Sequence, residues 1–169
     1  MDIDQAIRNA ISMENRIRDV YRSAAESAGT EVGSRIFGLL AAEEQNHVDY
    51  LKARLEEWER DGRLRAEDIE TVIPPLERIE AEAAKLEKKL DGPDLTHERE
   101  GLQRAEQVER ETSEFYERMV DELGDEGREF FGRFVEIEQG HLAIVQAELS
   151  AVDGMGYWFD MPEFDLEKA

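Results

Sequence analysis

The chain contains one pattern of residues twice, and this repeat limits the folds open to it more than any other feature. Residues 37–47 and 131–141 both read Phe-Gly, five further residues, and then Glu-Gln-x-His. A glutamate followed seven residues later by a tyrosine also occurs twice, at residues 14–21 and 109–116. Self-similarity of this kind predicts a structure made of two copies of one motif.

Both copies lie in stretches with the residue spacing of a helix. Apolar side chains recur at steps of three and four residues in four stretches without proline, and we call each such row of residues a seam. The predicted helices, A to D, cover residues 3–28, 31–59, 96–123 and 126–152. Short glycine-containing turns join A to B and C to D, which predicts two antiparallel hairpins. The expected fold is a single all-α domain over residues 1–169, a four-helix bundle of two repeated hairpins; all-β and α/β architectures are disfavoured.

Two segments lie outside the four predicted helices. Residues 60–95 connect B to C as a crossover long enough to return along the bundle, so that B and C run parallel. Within it, helical spacing predicts a short extra helix that carries Leu76, Ile79, Ala83, Leu86 and Leu90. Residues 153–169 form an aromatic C-terminal tail, which we expect to dock on the bundle or on a second subunit.

Composition narrows the classes of function. The absence of cysteine excludes disulfides, thiolate catalysis and cysteine-bound metals, so a metal site must use carboxylate and imidazole. The 42 acidic and 21 basic residues give a net charge of −21, which repels nucleic acid and anionic membranes and attracts cations. No apolar run approaches the roughly 18 residues of a membrane span, and the N-terminus lacks the basic region of a signal peptide. We therefore expect a soluble, cytoplasmic protein without nucleic-acid or membrane partners.

Six polar residues occupy seam positions that elsewhere hold isoleucine, leucine, phenylalanine or valine. They are Glu14, Glu44, His47, Glu109, Glu138 and His141. Burying one unpaired carboxylate costs several kcal/mol, whereas a whole domain is stable by only about 5–15 kcal/mol. Basic residues are almost absent from the seams, with Arg54 at the lower edge of helix B the nearest. Two divalent cations would balance the four carboxylates; the alternative is a polar layer of hydrogen bonds and protonated glutamates.

Two other residues, Glu43 and His97, also fit part of this pattern. Glu43 precedes Glu44 and competes with it as a ligand, but its counterpart in the repeat is Ile137, which argues for Glu44. His97 follows Asp94 by three residues, as in Glu-x-x-His. Since that pair lies at the start of a predicted helix and has no partner in the repeat, we interpret His97 as a surface residue.

One glutamate from each of two helices, with Glu-x-x-His from each of the other two, resembles the ferritin-like di-iron proteins. The Glu-to-Tyr spacing of seven and the paired hairpins look most like the rubrerythrin family, over all four helices but not the crossover. The resemblance implies a ferritin-like bundle with two iron ions per chain, or manganese in their place. The implied ligands are Glu14, Glu44, His47, Glu109, Glu138 and His141. Glu44 and Glu138 would bridge the two metals.

The resemblance also implies roles for Tyr21 and Tyr116, which lie two turns beyond Glu14 and Glu109 on the same seams. They would donate hydrogen bonds to ligand carboxylates and assist catalysis. The alternative is that they are ordinary core tyrosines. The chain departs from the family at one further position: many rubrerythrins carry an extra glutamate one turn after the helix C ligand, where this chain has Thr112.

The function implied by the resemblance is reduction of hydrogen peroxide, or of dioxygen, by a non-haem di-iron oxidoreductase that protects against oxidative stress. Rubrerythrins usually carry a rubredoxin domain with four cysteines; without cysteine, this chain would need an external electron donor such as a rubredoxin-like protein. A homodimer is expected. Two alternatives remain open: a ferroxidase or iron-storage protein, which would need a shell of many subunits, and a static metal-binding structural protein.

Overall fold

The residues that the structure describes form five α-helices. They are α1 (Ile3–Ser27), α2 (Glu31–Asp61), α3 (Leu76–Ala83), α4 (Thr96–Glu122) and α5 (Gly124–Met155). This computed structural model describes residues 1–64, 69, 71, 73–83 and 94–155, with the backbone alone at 80–83, 154 and 155. These residues contain no strand, and the predicted all-α, ferritin-like bundle of two hairpins is confirmed.

Contacts between the helices establish their directions. In the first hairpin, Arg18 of α1 donates to Gln45 of α2 at 3.0 Å, and Arg8 near the start of α1 pairs with Glu59 near the end of α2. In the second hairpin, contacts between α4 and α5 show the same antiparallel arrangement. The helix α1 also packs on α4 in the antiparallel direction, because Arg16 pairs with Glu111, whereas Ala24, later in α1, lies against Gly101, earlier in α4. Since α1 is antiparallel to both α2 and α4, these two helices run parallel, as the long crossover predicted.

The helix ends are fixed by local hydrogen bonds and by one turn. Asp2 caps α1 by accepting a hydrogen bond from the Gln5 N–H at 2.9 Å, and Thr30 caps α2 in the same way through the Gly33 N–H at 3.1 Å. The turn between α4 and α5 is shorter than predicted, because Gly124 has a φ of 64° and reverses the chain at once. Consequently α5 begins at residue 124 rather than 126. At its other end, α5 extends to residue 155 rather than 152.

The crossover carries the predicted extra helix, α3, which packs on α5 and buries Ile79. Leu86 and Leu90, expected to continue it, lie outside the described residues, as does the aromatic tail from residue 156 onward. Within the described ranges, none of the helices has an apolar stretch of the length needed to cross a bilayer.

The bundle core is apolar at both ends and polar in the middle. One apolar cluster includes Ile7, Leu51, Phe131 and Phe134, and the other, at the end formed by the α1–α2 turn, includes Phe37, Leu40, Leu102 and Val145. The six polar seam residues lie between these clusters with no exposed surface. The apolar clusters therefore hold four helices around a buried polar layer.

Candidate metal centre

Each of the four bundle helices contributes to the buried polar layer. One glutamate comes from α1 (Glu14) and one from α4 (Glu109), whereas α2 and α5 each supply a glutamate and, one turn later, a histidine. Residues three apart lie on the same side of a helix, so each Glu-x-x-His presents both side chains to the bundle interior. The fold thus brings together all six residues that the sequence singled out.

The Nδ1 atom of His47 faces three of the carboxylates. It lies 3.0 Å from Glu44 Oε2, 3.3 Å from Glu14 Oε2 and 3.5 Å from Glu138 Oε1. The carboxylates come from three different helices, α1, α2 and α5. The result is a compact group of one nitrogen and three oxygen atoms.

The Nδ1 atom of His141 faces a second, similar group. It lies 2.8 Å from Glu44 Oε1, 3.8 Å from Glu138 Oε2 and 3.9 Å from Glu109 Oε1. The two imidazole rings are stacked, with centroids 5.4 Å apart and planes 12° from parallel. This arrangement matches the repeat in the sequence, because each hairpin supplies one histidine in an equivalent setting.

Glu44 and Glu138 belong to both groups. Each turns one carboxylate oxygen toward His47 and the other toward His141, whereas Glu14 and Glu109 each face one histidine only. Ligand atoms of Glu44, His47, Glu138 and His141 all lie within 4.8 Å of one another. The geometry therefore gives the two glutamates of the Glu-x-x-His pairs a shared position between two groups of donor atoms.

Both predicted tyrosines touch the centre, and each does so across the bundle. Tyr21 of α1 donates a hydrogen bond to Oε1 of Glu109 on α4, and Tyr116 of α4 donates to Oε1 of Glu14 on α1. Burial, together with the adjacent carboxylates, raises the pKa of each tyrosine well above its ordinary value. The hydroxyl groups therefore remain protonated, and each fixes the orientation of one glutamate.

The buried charges shift the acid–base properties of the whole layer. Burial, reinforced by Glu138, raises the pKa of Glu14, and burial with Glu44 and Glu138 raises that of Glu109 despite the nearby His141. Burial alone would lower the pKa of both histidines, but the surrounding carboxylates outweigh it and raise them. Burial would likewise raise the pKa of Glu44, yet the two histidines lower it. Without metal, the layer therefore balances its charge by holding protons, on the two histidines and on Glu14 and Glu109.

Many polar atoms of the layer have no hydrogen-bond partner among the described residues. They include both oxygens of Glu44 and of Glu138, Oε2 of Glu109, Nε2 of His47 and both nitrogens of His141. The short contacts of Glu44 with the imidazoles thus lack the geometry of hydrogen bonds. Buried polar atoms are normally satisfied, and their donor types, carboxylate oxygen and imidazole nitrogen, are metal ligands. These residues fit a metal site.

His97 and Arg54 both lie outside the two donor groups. His97 is exposed at the start of α4, as predicted. Arg54 pairs with Glu57 at 3.3 Å and lies 5.4 Å from the ring centroid of Tyr50. Thr112 is fully buried, and its hydroxyl donates to the Val108 carbonyl at 2.9 Å.

Two further buried glutamates, Glu43 and Glu98, make contacts that the sequence does not predict. Glu43 accepts a hydrogen bond from Thr71 of the crossover and lies 4.0 Å from Nε2 of His47. Glu98 of α4 accepts from both the backbone N–H and the hydroxyl of Thr30, at 2.8 Å each, and so ties α4 to the start of α2. No spacing rule could indicate either contact, because each joins segments that are distant in sequence.

Four helices that present carboxylates and imidazoles to one buried layer define a class of protein, the helical bundles with a carboxylate–histidine metal centre. The family model for rubrerythrin matches residues 5–149 of the chain, a range that includes all six residues of the layer. The chain therefore belongs to the rubrerythrin family, and the matched region is its ferritin-like di-iron domain. Searches of curated proteins and of solved structures found no match.

Proposed function

We propose that the protein is a rubrerythrin-like non-haem di-iron oxidoreductase that reduces hydrogen peroxide. The observation that carries the proposal is the pair of donor groups that share Glu44 and Glu138. Sharing two carboxylates would hold two metal ions close together, which suits a reaction that needs two electrons at one place. Membership of the rubrerythrin family supports the same class of chemistry.

The chemistry of the donors favours iron. Four carboxylates and two imidazoles, with no thiolate in the chain, suit iron or manganese better than the softer metals. Reduction of hydrogen peroxide breaks its O–O bond and consumes two electrons and two protons, and it yields two water molecules. Two bound iron ions would supply one electron each. We therefore assign two irons to each chain, held by the six residues of the layer.

The chain itself would contribute orientation and exclusion of water. Tyr21 and Tyr116 stay protonated and hold Glu109 and Glu14 in fixed positions, while Glu44 and Glu138 are fixed by their place between the histidines. The apolar clusters above and below the layer keep bulk water from it. A rigid, dry layer of this kind keeps the donor atoms in place while the charge at its centre changes.

Re-reduction would come from outside these 169 residues. The chain has no cysteine and thus no rubredoxin-type iron site of its own. We propose a separate electron donor, such as a rubredoxin-like protein, and a homodimeric assembly.

The test is a single turnover. Protein loaded with Fe²⁺ without oxygen is mixed with hydrogen peroxide, and the peroxide lost is measured against iron content. We expect about one peroxide consumed for each pair of irons. Glu44→Ala should lose this reaction, while Glu129→Ala, on the exposed surface of α5, should keep it. Fully iron-loaded protein that leaves peroxide unchanged would refute the proposal, and a large shell of subunits that retains iron would favour storage instead.

A further inference from the structure

The two histidines of the centre differ on the side that faces away from the shared carboxylates. Nε2 of His47 has Oε1 of Glu43 at 4.0 Å, and Glu43 is buried with it. In the second half of the repeat, the residue at the position of Glu43 is Ile137, which is also buried but cannot accept a hydrogen bond. At 4.0 Å the Glu43 contact is one of charge and not a hydrogen bond, and among the described residues neither Nε2 atom has a hydrogen-bond partner.

The carboxylate behind His47 is held in place by the crossover. The hydroxyl of Thr71 donates to Glu43 Oε1, and its oxygen also accepts from the Ile73 N–H at 3.1 Å. Ile73 in turn packs against α5 at Gly140, where a Cβ atom would come within 2.8 Å of Ile73 Cγ2. Glu43 is therefore oriented by a segment that is itself seated on the opposite hairpin.

The rest of the centre is closely matched between its two halves. Glu14 with Tyr116 on one side corresponds to Glu109 with Tyr21 on the other, and Glu44 and Glu138 serve both histidines. The two halves of the centre therefore differ at the position of Glu43 and Ile137, although their other residues correspond.

A carboxylate behind a histidine has a known physical effect. When Nδ1 binds a cation, the ring proton must lie on Nε2, and a carboxylate facing Nε2 favours that tautomer and makes Nδ1 a stronger donor. Its negative charge also attracts the cation directly. Both effects act on the His47 side of the centre and are missing at Ile137.

We propose that the two metal positions are unequal, and that the position at His47 fills first because Glu43 orients His47 from behind. Glu43 is then a positioning residue. This inference rests on the proposed pair of metal ions but not on the reaction with peroxide.

The experiment is a titration of metal-free full-length protein with Co²⁺, followed by visible absorption and calorimetry. Wild type should bind two ions in two classes of affinity. Glu43→Ile, which copies the residue of the other half, should weaken the tighter class about 10- to 100-fold and leave the weaker class unchanged. Glu43→Gln should have a smaller effect, because its amide oxygen keeps a partial negative charge that can face Nε2. Glu56→Gln, an exposed residue on the same helix, is the matched control.

A second measurement distinguishes a local effect of Glu43 on His47 from a general loss of structure in the variant. In Zn²⁺-loaded protein labelled with ¹⁵N-histidine, the Nε2 chemical shift of His47 should differ from that of His141, and Glu43→Ile should move it toward the His141 value. Circular dichroism shows whether each variant is folded. If Glu43→Ile does not fold, the metal affinities of Glu43→Gln are compared with those of wild type instead. Two equal sites in wild type, or an unchanged tighter class in the variants, would overturn the inference alone. A wild type that binds no metal would overturn the proposed function as well.

Discussion

At the scale of single residues, the four site glutamates fall into two kinds. Glu44 and Glu138 face both histidines, whereas Glu14 faces His47 and Glu109 faces His141. Replacing a shared carboxylate removes an oxygen from both donor groups, while replacing an unshared one affects a single group. The two kinds should therefore respond differently to substitution.

We expect the double variant Glu44→Ala, Glu138→Ala to lose paired metal binding and Glu109→Ala to retain about one ion per chain, on the His47 side. Elemental analysis of protein produced with iron available measures the stoichiometry. An exposed substitution, Glu129→Ala, should leave two ions per chain. Unchanged stoichiometry in the double variant would show that the metals are held elsewhere.

Removing the hydroxyl of Tyr116 should destabilise the metal-free protein. Tyr116→Phe leaves Oε1 of buried Glu14 without its donor, and such a loss costs about 1–3 kcal/mol. The midpoint of urea denaturation measures the change. Tyr21→Phe should behave alike, since it bonds Glu109 in the equivalent way. If the cost persists undiminished when Glu14→Leu is already present, the hydrogen bond is not its source.

Thr112 occupies the position at which many rubrerythrins have an additional glutamate. Its hydroxyl donates a hydrogen bond to the Val108 carbonyl. Thr112→Glu would add a negative charge beside the proposed metals and stabilise their more positive oxidised form. We expect the reduced variant to favour peroxide over dioxygen more strongly than wild type does. Stopped-flow oxidation with each oxidant gives the two rates, with Thr112→Val as the uncharged control. An unchanged ratio of rates in a folded Thr112→Glu protein would remove this role from position 112.

At the scale of the helices, small residues decide how closely elements approach. A Cβ atom at Gly101 of α4 would lie 3.0 Å from both Ala24 Cβ of α1 and Phe37 Cζ of α2. At Gly132 of α5, in contrast, a Cβ atom would meet nothing within 4 Å. One glycine therefore sets a helix contact, and the other lies on an open helix face.

These two glycines predict opposite effects on stability. Gly101→Leu should destabilise the protein by about 1–3 kcal/mol, because the larger side chain overpacks the contact of three helices. Gly132→Ala should stabilise it by about 0.5–1 kcal/mol, because alanine loses less backbone freedom in a helix. Urea denaturation of both variants gives the free energies of unfolding. Equal effects of the same sign would contradict the packing described for Gly101.

The elements also show what a sequence can predict and what it cannot. The four bundle helices follow from apolar steps of three and four residues, and the six site residues stand out because they interrupt those seams. The start of α5 differs from the prediction, because the positive φ of Gly124 permits a turn shorter than glycine spacing alone suggests. The Thr71–Glu43 and Thr30–Glu98 contacts could not be predicted, because they depend on how the crossover and the hairpins dock.

At the scale of the whole molecule, the metal-free protein should lose stability as the pH rises. Glu14 and Glu109 have raised pKa values in the folded state, so the unfolded chain releases their protons first, beginning near the ordinary value of 4.5. His47 and His141 act in the same direction from about 6.5 upward. The pKa of Glu44 is lowered in the folded state, so Glu44 has the opposite effect on stability. Its stabilising contribution is lost only as the pH falls below the ordinary carboxyl range.

Thermal melts from weakly acidic to alkaline pH measure this dependence. With a chelator present, the melting temperature should fall as the pH rises through this window. With Mn²⁺ bound, the trend should vanish or reverse, because the cation takes the place of the protons. Parallel profiles with and without metal would show that the buried layer does not control stability.

The crossed tyrosines have a bearing on the ancestry of the molecule. Tyr21 in the first hairpin donates a hydrogen bond to a glutamate of the second, and Tyr116 in the second hairpin donates one to a glutamate of the first. Two identical hairpins related by a two-fold axis would form the same bonds, so a protein half this size would complete its site only as a symmetric pair. Duplication and fusion of such a gene would produce the repeat seen here. Fusion also allows each half to mutate alone, and Glu43 opposite Ile137 is a difference that no symmetric pair could have acquired.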